Sequence, residues 1–185
     1  MRKFFCALTL MSALVLTLAV HAAAPGNFAG TWTLDKSKSQ GLSGRMQNAE
    51  SVSWVITQTA KDITIEEKVT GGNPPAGAPA GGGPGGGGPG RGMGGGFGGP
   101  RTFNLDGSET SGDMGRGKFV RKATLSSDGK TLELTTKTTF QGPEGEITST
   151  SNDKLALSGD GKTLTVTRHS ESPRGNQDST LVFNK

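Results

Sequence analysis

The chain is poor in the residues that carry most enzyme chemistry. It has one cysteine, Cys6, two histidines, His21 and His169, and no tyrosine. A zinc site or a histidine-dependent nucleophile needs more ligands and bases than these. Glu66 and Glu67 are adjacent on a predicted strand, so they face opposite sides and cannot act as a glycosidase pair. We therefore expect no enzyme activity, no cofactor and no bound metal.

The N-terminus has the order of a secretory signal peptide. Arg2 and Lys3 precede an apolar run over residues 4–20, and the small residues around Ala22 suit a signal peptidase. The apolar run is too short and too weakly flanked for a stable membrane anchor. Cleavage after Ala22 removes the only cysteine, so no disulfide is expected, and the loss of Arg2 and Lys3 lowers the formal net charge from +4 to +2. We expect an exported protein, periplasmic or extracellular, without a nucleic-acid partner.

Helical periodicity is nearly absent, and apolar and polar residues alternate instead with a period of two. One short helical turn is predicted over residues 43–49. The alternation predicts an all-β, antiparallel up-and-down meander that closes into a barrel of about ten strands, with eight or nine strands as alternatives. The predicted strands are 27–34, 51–58, 62–69, 101–105, 108–112, 117–126, 130–140, 145–157, 162–171 and 178–184.

Three Asp-Gly pairs stand between predicted strands, at 106–107, 128–129 and 160–161. Asp-Gly between alternating runs is typical of a hairpin with a type I′ turn, in which both central residues have positive φ. Two of these hairpins repeat at a spacing of 32 residues, as LSSDGKTLELT and LSGDGKTLTVT. We interpret them as a repeated hairpin in one meander, because a solenoid needs more copies.

Residues 71–100 contain 17 Gly and 6 Pro, a composition that predicts disorder. Three strands before this segment are too few for an independent domain, so we interpret it as a long loop between two strands of one sheet. Lengthening a loop from about 4 to about 30 residues costs only about 2 kcal/mol in closure entropy. The predicted organisation is a signal peptide at 1–22 and a single barrel domain at 23–185. The loop is either passive or a mobile flap over the barrel.

The long connections all fall at one end of a ten-strand meander, and the tight turns fall at the other. Inward-facing positions near the tight end are apolar, as Ile63, Leu134 and Val166 show. Towards the loop end the same faces become polar, which is typical of a barrel with a ligand cavity. The alternative is that the strands fray into solvent there. The polar inward positions are Glu67, Arg121, Thr136, Thr138, Ser149, Arg168 and Ser170.

The segment NFAGTWTLD at 27–35, with a G-x-W signature at Gly30 and Trp32, resembles the opening strand of the lipocalin and fatty-acid-binding superfamily. GTWTLDKSKS and the later FNLDGSE are also similar to small exported bacterial lipocalin-like proteins of unknown function. The resemblance implies an up-and-down barrel that holds a small, mostly apolar ligand, with Arg168 covering Trp32. The chain departs from the lipocalin pattern because it has no Thr-Asp-Tyr motif and no disulfides. These departures leave the strand count and the ligand open.

The candidate ligand contacts are Trp32, Glu67, Arg121, Thr136, Thr138 and Arg168. Each candidate also has an alternative role that involves no ligand. Trp32 and Arg168 would stack on each other only to close the barrel, and Glu67 and Arg121 would neutralise each other as a buried ion pair. Trp54, Phe119 and Phe140 are expected in the core. The leading hypothesis is an exported lipocalin-like protein that binds a small, partly apolar molecule in its barrel. The alternative is a filled barrel acting as a structural or protein-interaction module of the cell envelope.

Overall fold

The computed structural model describes residues 26–71, 99–114, 117–142 and 145–185. The predicted signal peptide and most of the Gly/Pro-rich segment lie outside these ranges. Within these ranges, ten strands and one short helix follow one another, which confirms the all-β prediction and each predicted element within a few residues. Their bounds are β1 Gly30–Leu34, α1 Gly44–Asn48, β2 Ser51–Gln58, β3 Asp62–Thr70, β4 Arg101–Asn104, β5 Thr110–Met114, β6 Gly117–Leu125, β7 Thr131–Gly142, β8 Gly145–Leu157, β9 Thr163–Ser172 and β10 Gly175–Asn184.

The ten strands form one antiparallel sheet in the order β4-β3-β2-β1-β10-β9-β8-β7-β6-β5. The first and last strands of the chain meet in this sheet, with Leu34 of β1 opposite Phe183 of β10. The two edges, β4 and β5, come close together, yet no backbone ladder joins them among the described residues. The sheet is therefore a nearly closed barrel with one gap. The predicted hairpin at Asp106 and Gly107 is wrong for this reason, because β4 and β5 do not pair.

The strands alternate between a buried inner face and an exposed outer face, as a half-buried sheet requires. On β7, for example, Leu132 and Leu134 are buried while Glu133 is exposed. The inner faces near the tight turns build one apolar core, to which α1 adds Met46 and the residue after the helix adds Ala49. The largest fully buried side chains in this core are Phe28, Trp32, Trp54, Phe103 and Phe183.

The turns after β6 and β8 share one geometry, but it is not the expected type I′. The amide of Gly129 donates to the carbonyl of Ser126 at 2.9 Å, so Ser127 and Asp128 occupy the centre of the turn. Gly129 follows them with a φ of 69°, at the fourth position, where a type I turn favours glycine. The side chains of Ser126 and Asp128 accept bonds from backbone amides of the turn, at 3.0 Å each, and so stabilise this form.

β3 and β4 pair directly, with Ile65 opposite Arg101. The Gly/Pro-rich segment therefore connects two neighbouring strands of the same sheet. Within the described residues, no helix is long and apolar enough to span a membrane.

Candidate functional site

Within the ranges that the structure describes, five charged side chains point from the strands into the barrel, and we call them the interior charge cluster. They lie on β3, β4, β6, β8 and β9, above the apolar core. Each lies on the inward face of its strand, the face that also carries the buried apolar side chains of that strand. The members are Glu67, Arg101, Arg121, Asp153 and Arg168.

Asp153 is the centre of this cluster. Arg168 lies directly opposite on β9 and donates two hydrogen bonds to its carboxylate, at 2.7 and 2.8 Å. Arg101 reaches the same carboxylate across the interior from β4, at 3.5 Å. Burial tends to raise the pKa of Asp153, but the hydrogen bonds and charge of Arg168, with the charge of Arg101, outweigh it and hold the pKa below its ordinary value. Asp153 is therefore ionised at neutral pH.

Trp54 lies under the same two arginines. The guanidinium carbons of Arg101 and Arg168 are 5.5 and 5.8 Å from the Trp54 ring centroid, within the range of a cation–π interaction. The Trp54 indole NH donates to Glu67 at 3.2 Å, and its ring packs against Phe183 at 4.7 Å between centroids. Trp54 thus joins the charge cluster to the apolar core.

Arg121 is the member without a carboxylate partner among the described residues. Its guanidinium carbon lies 4.0 Å from the ring centroid of Phe119 and 5.9 Å from that of Phe103. The residue is 7% exposed, and its Nε has no hydrogen-bond partner in the described ranges. Burial, and then the positive charge of Arg101, lower the pKa of Arg121. The barrel therefore buries a cation that the described chain does not neutralise.

Hydroxyl groups continue the polar wall beside Arg121. Thr136 stands opposite Arg121 on one side and Ser151 on the other, while Thr138 stands opposite Ser149. Thr136 and Thr138 are both buried. The structure thus brings five of the six predicted contact residues into the polar half of the interior. These five are Glu67, Arg121, Thr136, Thr138 and Arg168.

Trp32 lies apart from the cluster, in the packed core. It is fully buried, and its indole NH donates to the carbonyl of Phe28 at 2.8 Å. The ammonium group of Lys185, not Arg168, covers its ring, 4.6 Å from the centroid. The predicted stacking of Arg168 on Trp32 is wrong, because the bidentate pair with Asp153 holds Arg168 over Trp54 instead.

The expected pair between Glu67 and Arg121 is also wrong. Glu67 bonds the Trp54 indole, and Arg121 stacks on Phe119. Phe119 and Phe140, expected in the core, are only half-buried. Trp54 is fully buried in the core, as predicted.

The sequence did not lead us to predict two members of the interior charge cluster, Asp153 and Arg101. A signal for Asp153 was present, since it stands two residues before inward Leu155 and therefore shares its face. Arg101 shares a face with Phe103 in the same way. No local pattern indicated that these two side chains meet.

The outer face carries a separate polar group around His169. When protonated, His169 donates from Nδ1 to Asp178 at 2.5 Å and from Nε2 to Glu171 at 3.2 Å. These hydrogen bonds, first to Asp178 and then to Glu171, raise the pKa of His169 above its ordinary value. The side chain faces outward, as the alternation predicted. A shallow groove runs beside it, lined mainly by Glu133, Thr135, Asn152, Lys154, Thr167 and His169.

No group of three or more His, Cys, Asp or Glu side chains in the described ranges is arranged to hold a metal ion.

No protein-family model matches the chain, and no curated protein sequence matches it. Among solved structures, the chain is similar to zebrafish ileal bile acid-binding protein, crystallised with cholic acid. That likeness has a TM-score of 0.46 and 14% sequence identity, and covers 85% of this chain and 98% of the zebrafish chain. The strands of this chain themselves pair into a nearly closed ten-stranded barrel within the described ranges.

Proposed function

We propose that this protein, after export, binds a small, partly apolar molecule in the polar half of its barrel. One observation carries the proposal: an inward-facing cluster of charges and hydroxyls lies above an apolar core, and one buried arginine in it has a donor with no partner in the described part of the chain. An apolar surface with a few convergent polar groups is typical of small-molecule sites.

Two side chains of the interior charge cluster remain partly exposed, which supports access of solvent to the barrel interior. The side chains of Arg101 and Arg168 point inward, yet they remain 11% and 20% exposed. Solvent therefore reaches inward-facing groups. A fully packed interior would instead leave such side chains without exposure, as it does for Trp32.

The second candidate is a filled barrel that serves as a structural or interaction module. Its supporting observation is the mutual satisfaction of Asp153, Arg168 and Arg101, together with the bond from Trp54 to Glu67. These contacts stabilise the fold without any ligand. Arg121 is the residue that this alternative leaves unexplained.

The test begins with residues 23–185 purified from an exporting host. We expect a discrete extra mass under native conditions that vanishes on denaturation. Protein stripped of that molecule should then bind the neutral fluorophore N-phenyl-1-naphthylamine saturably.

A matched pair of variants locates the binding. Ser149 faces inward opposite buried Thr138, whereas Thr150 is the next residue and faces outward. We expect Ser149→Trp to abolish fluorophore binding by filling the interior, and Thr150→Trp to leave it unchanged. Equal binding by both variants, or none by the stripped wild type, would favour the filled barrel.

A further inference from the structure

The Asp-Gly pairs of the chain are susceptible to a spontaneous rearrangement of the main chain. There are three of them, at 106–107, 128–129 and 160–161. In such a pair the main-chain nitrogen of the glycine can attack the side-chain carboxyl of the aspartate, because glycine has no Cβ that shields this nitrogen. The product after hydrolysis is isoaspartate, a covalent modification that needs no enzyme. The structure around each pair decides how readily the attack occurs.

The reaction balances with water as its only co-reactant. Attack forms a bond between the glycine nitrogen and Cγ of the protonated aspartate carboxyl, and the carboxyl OH leaves as water with the proton of the amide. Water then opens the succinimide ring at one of its two carbonyls. Opening at the Cγ carbonyl restores aspartate. Opening at the main-chain carbonyl leaves the chain running through Cβ and Cγ, which is isoaspartate with an unchanged mass.

The pairs after β6 and β8 hold the attacking nitrogen in a hydrogen bond. The amides of Gly129 and Gly161 donate to the carbonyls of Ser126 and Ser158, at 2.9 Å each. The β6–β7 and β8–β9 ladders fix the chain on both sides of these turns. A nitrogen held in this way reacts only after the turn has opened locally, and that opening costs free energy.

The pair at Asp106 and Gly107 lies in a different setting. It connects β4 to β5, which do not pair with each other among the described residues. The amide of Gly107 has no hydrogen-bond acceptor within the described ranges. A Cβ built on Gly107 would meet only the carbonyl oxygen of Ala123, at 3.9 Å, so the space beside the glycine is open. Asp106 is itself exposed, so both reacting groups are accessible.

The three carboxylates are bonded in similar ways and therefore do not distinguish the pairs. Asp106 accepts from the hydroxyl and the amide of Ser108, at 2.6 and 2.8 Å. Asp128 and Asp160 each accept from a serine hydroxyl and a lysine amide. These hydrogen bonds, chiefly those from serine hydroxyls, lower the pKa of all three carboxyls. What differs between the pairs is the glycine nitrogen.

We propose that Asp106 is the residue at which this protein isomerises to isoaspartate, and that the turns after β6 and β8 protect Asp128 and Asp160. The product lengthens the main chain by one carbon between the two edge strands. No ladder between β4 and β5 fixes the register there, so the barrel accommodates the longer connection. The site does not depend on a ligand in the barrel.

The first experiment measures isoaspartate at each pair in the folded protein. Residues 23–185 are incubated at pH 7.5 and 37 °C, and samples taken over several weeks are cleaved into peptides. Methylation by a protein isoaspartate methyltransferase, followed by mass spectrometry, identifies and quantifies the isomerised peptides. We expect isoaspartate to form at Asp106 at least about tenfold faster than at Asp128 or Asp160, because the other two pairs need local opening. In concentrated urea the three rates should become similar, since no turn then protects its glycine nitrogen.

The second experiment uses the matched variants Asp106→Asn and Asp160→Asn. An asparagine before glycine passes through the same succinimide with loss of ammonia, so the reaction appears as the mass gain from amide to acid. Asparagine also keeps the side-chain oxygen that accepts hydrogen bonds in each segment. We expect Asp106→Asn to deamidate at least about tenfold faster than Asp160→Asn in the folded state, and the two to react alike in urea. Far-UV circular dichroism checks that both variants are folded, and if either is not, the wild-type comparison decides.

Two results would overturn the site. One is isomerisation at Asp128 or Asp160 as fast as at Asp106 in the folded chain, which would show that the turns give no protection. The other is a folded chain without isoaspartate at Asp106 after a time at which the urea-treated sample has formed it. Neither result bears on the binding of a fluorophore, so this site and the proposed function fail separately.

Discussion

At the scale of single residues, Asp153 stabilises the polar half of the interior by pairing with two arginines. It is 4% exposed, and two guanidiniums from strands on opposite sides of the barrel share its carboxylate. Removing one partner of such a pair leaves an uncompensated buried charge, which costs more than the pair itself contributes. Arg101 comes from the edge strand β4, so this contact also anchors one side of the gap.

We expect Asp153→Asn to lower the free energy of unfolding by about 3 to 5 kcal/mol at pH 7, because Arg168 and Arg101 then lack a counter-charge. Urea unfolding measures it as a lower midpoint with an unchanged slope. The folded pKa of Asp153 lies below that of the unfolded chain. Its contribution is therefore present above the unfolded pKa and lost as the pH falls through the folded one. The asparagine variant should lack this acid-dependent loss.

The control for Asp153 is Glu133→Gln. Glu133 pairs with Lys154 on the outer face at 3.5 Å, and both side chains are more than half exposed. Exposed pairs of this kind contribute little, so we expect a change under about 1 kcal/mol. A loss in Asp153→Asn as small as that of the control would show that the interior charges are well solvated.

At the scale of elements, the two copies of the sequence repeat fold into turns of the same geometry, one after β6 and one after β8. In the second copy, the amide of Gly161 donates to Ser158 at 2.9 Å, and the side chains of Ser158 and Asp160 accept from Thr163 and Lys162, as in the first. The turn positions were predictable from local sequence, because Gly adopts positive φ without strain and Asp hydrogen-bonds to nearby backbone amides. The turn type was not, because it depends on which carbonyl and amide close the turn.

We expect Gly161→Ala to cost about 1 to 2 kcal/mol in urea unfolding, because its φ of 67° is left-handed and unfavourable for a Cβ. An added Cβ meets no atom within 4 Å, so the cost comes from the backbone alone. Gly159 in the same turn is equally open but has no left-handed φ. Gly159→Ala should therefore change stability by less than about 0.5 kcal/mol. Equal effects of the two alanines would contradict the turn geometry.

At the scale of the whole molecule, one core joins the two parts of the chain that flank the Gly/Pro-rich segment. β1 pairs with β10, and the Trp54 ring of β2 packs on Phe183 of β10. The strands before the segment bury their inner faces against strands that come after it. Among the described residues, neither part has a separate core.

We expect a single unfolding transition for this reason. Both tryptophans lie on β1 and β2, whereas far-UV circular dichroism reports all ten strands. Urea curves from tryptophan fluorescence and from circular dichroism should therefore coincide. A fluorescence transition at clearly lower urea would show that β1–β3, the strands before the Gly/Pro-rich segment, unfold as an independent unit.

Much of the fold was predictable from the sequence because its signals are local. The alternation of Leu132, Glu133 and Leu134 shows which face of β7 is buried without any knowledge of its neighbours. The same alternation placed Arg121, Thr136 and Thr138 inside. Alternation gives a face and not a partner, and the partner that the resemblance implied for Arg168, Trp32, was wrong.

The sequence by itself determined the approximate bounds of the strands, their inward and outward faces and the positions of the Asp-Gly turns after β6 and β8. Each of these follows from residues a few positions apart, through backbone preference and the two-residue period of a strand. Only the tertiary structure decided that Asp153 meets Arg101 and Arg168, that Lys185 covers Trp32, and that Nε of Arg121 is buried without a hydrogen-bond partner among the described residues. Those contacts join distant segments, and their geometry depends on how the whole sheet curves and where it fails to close.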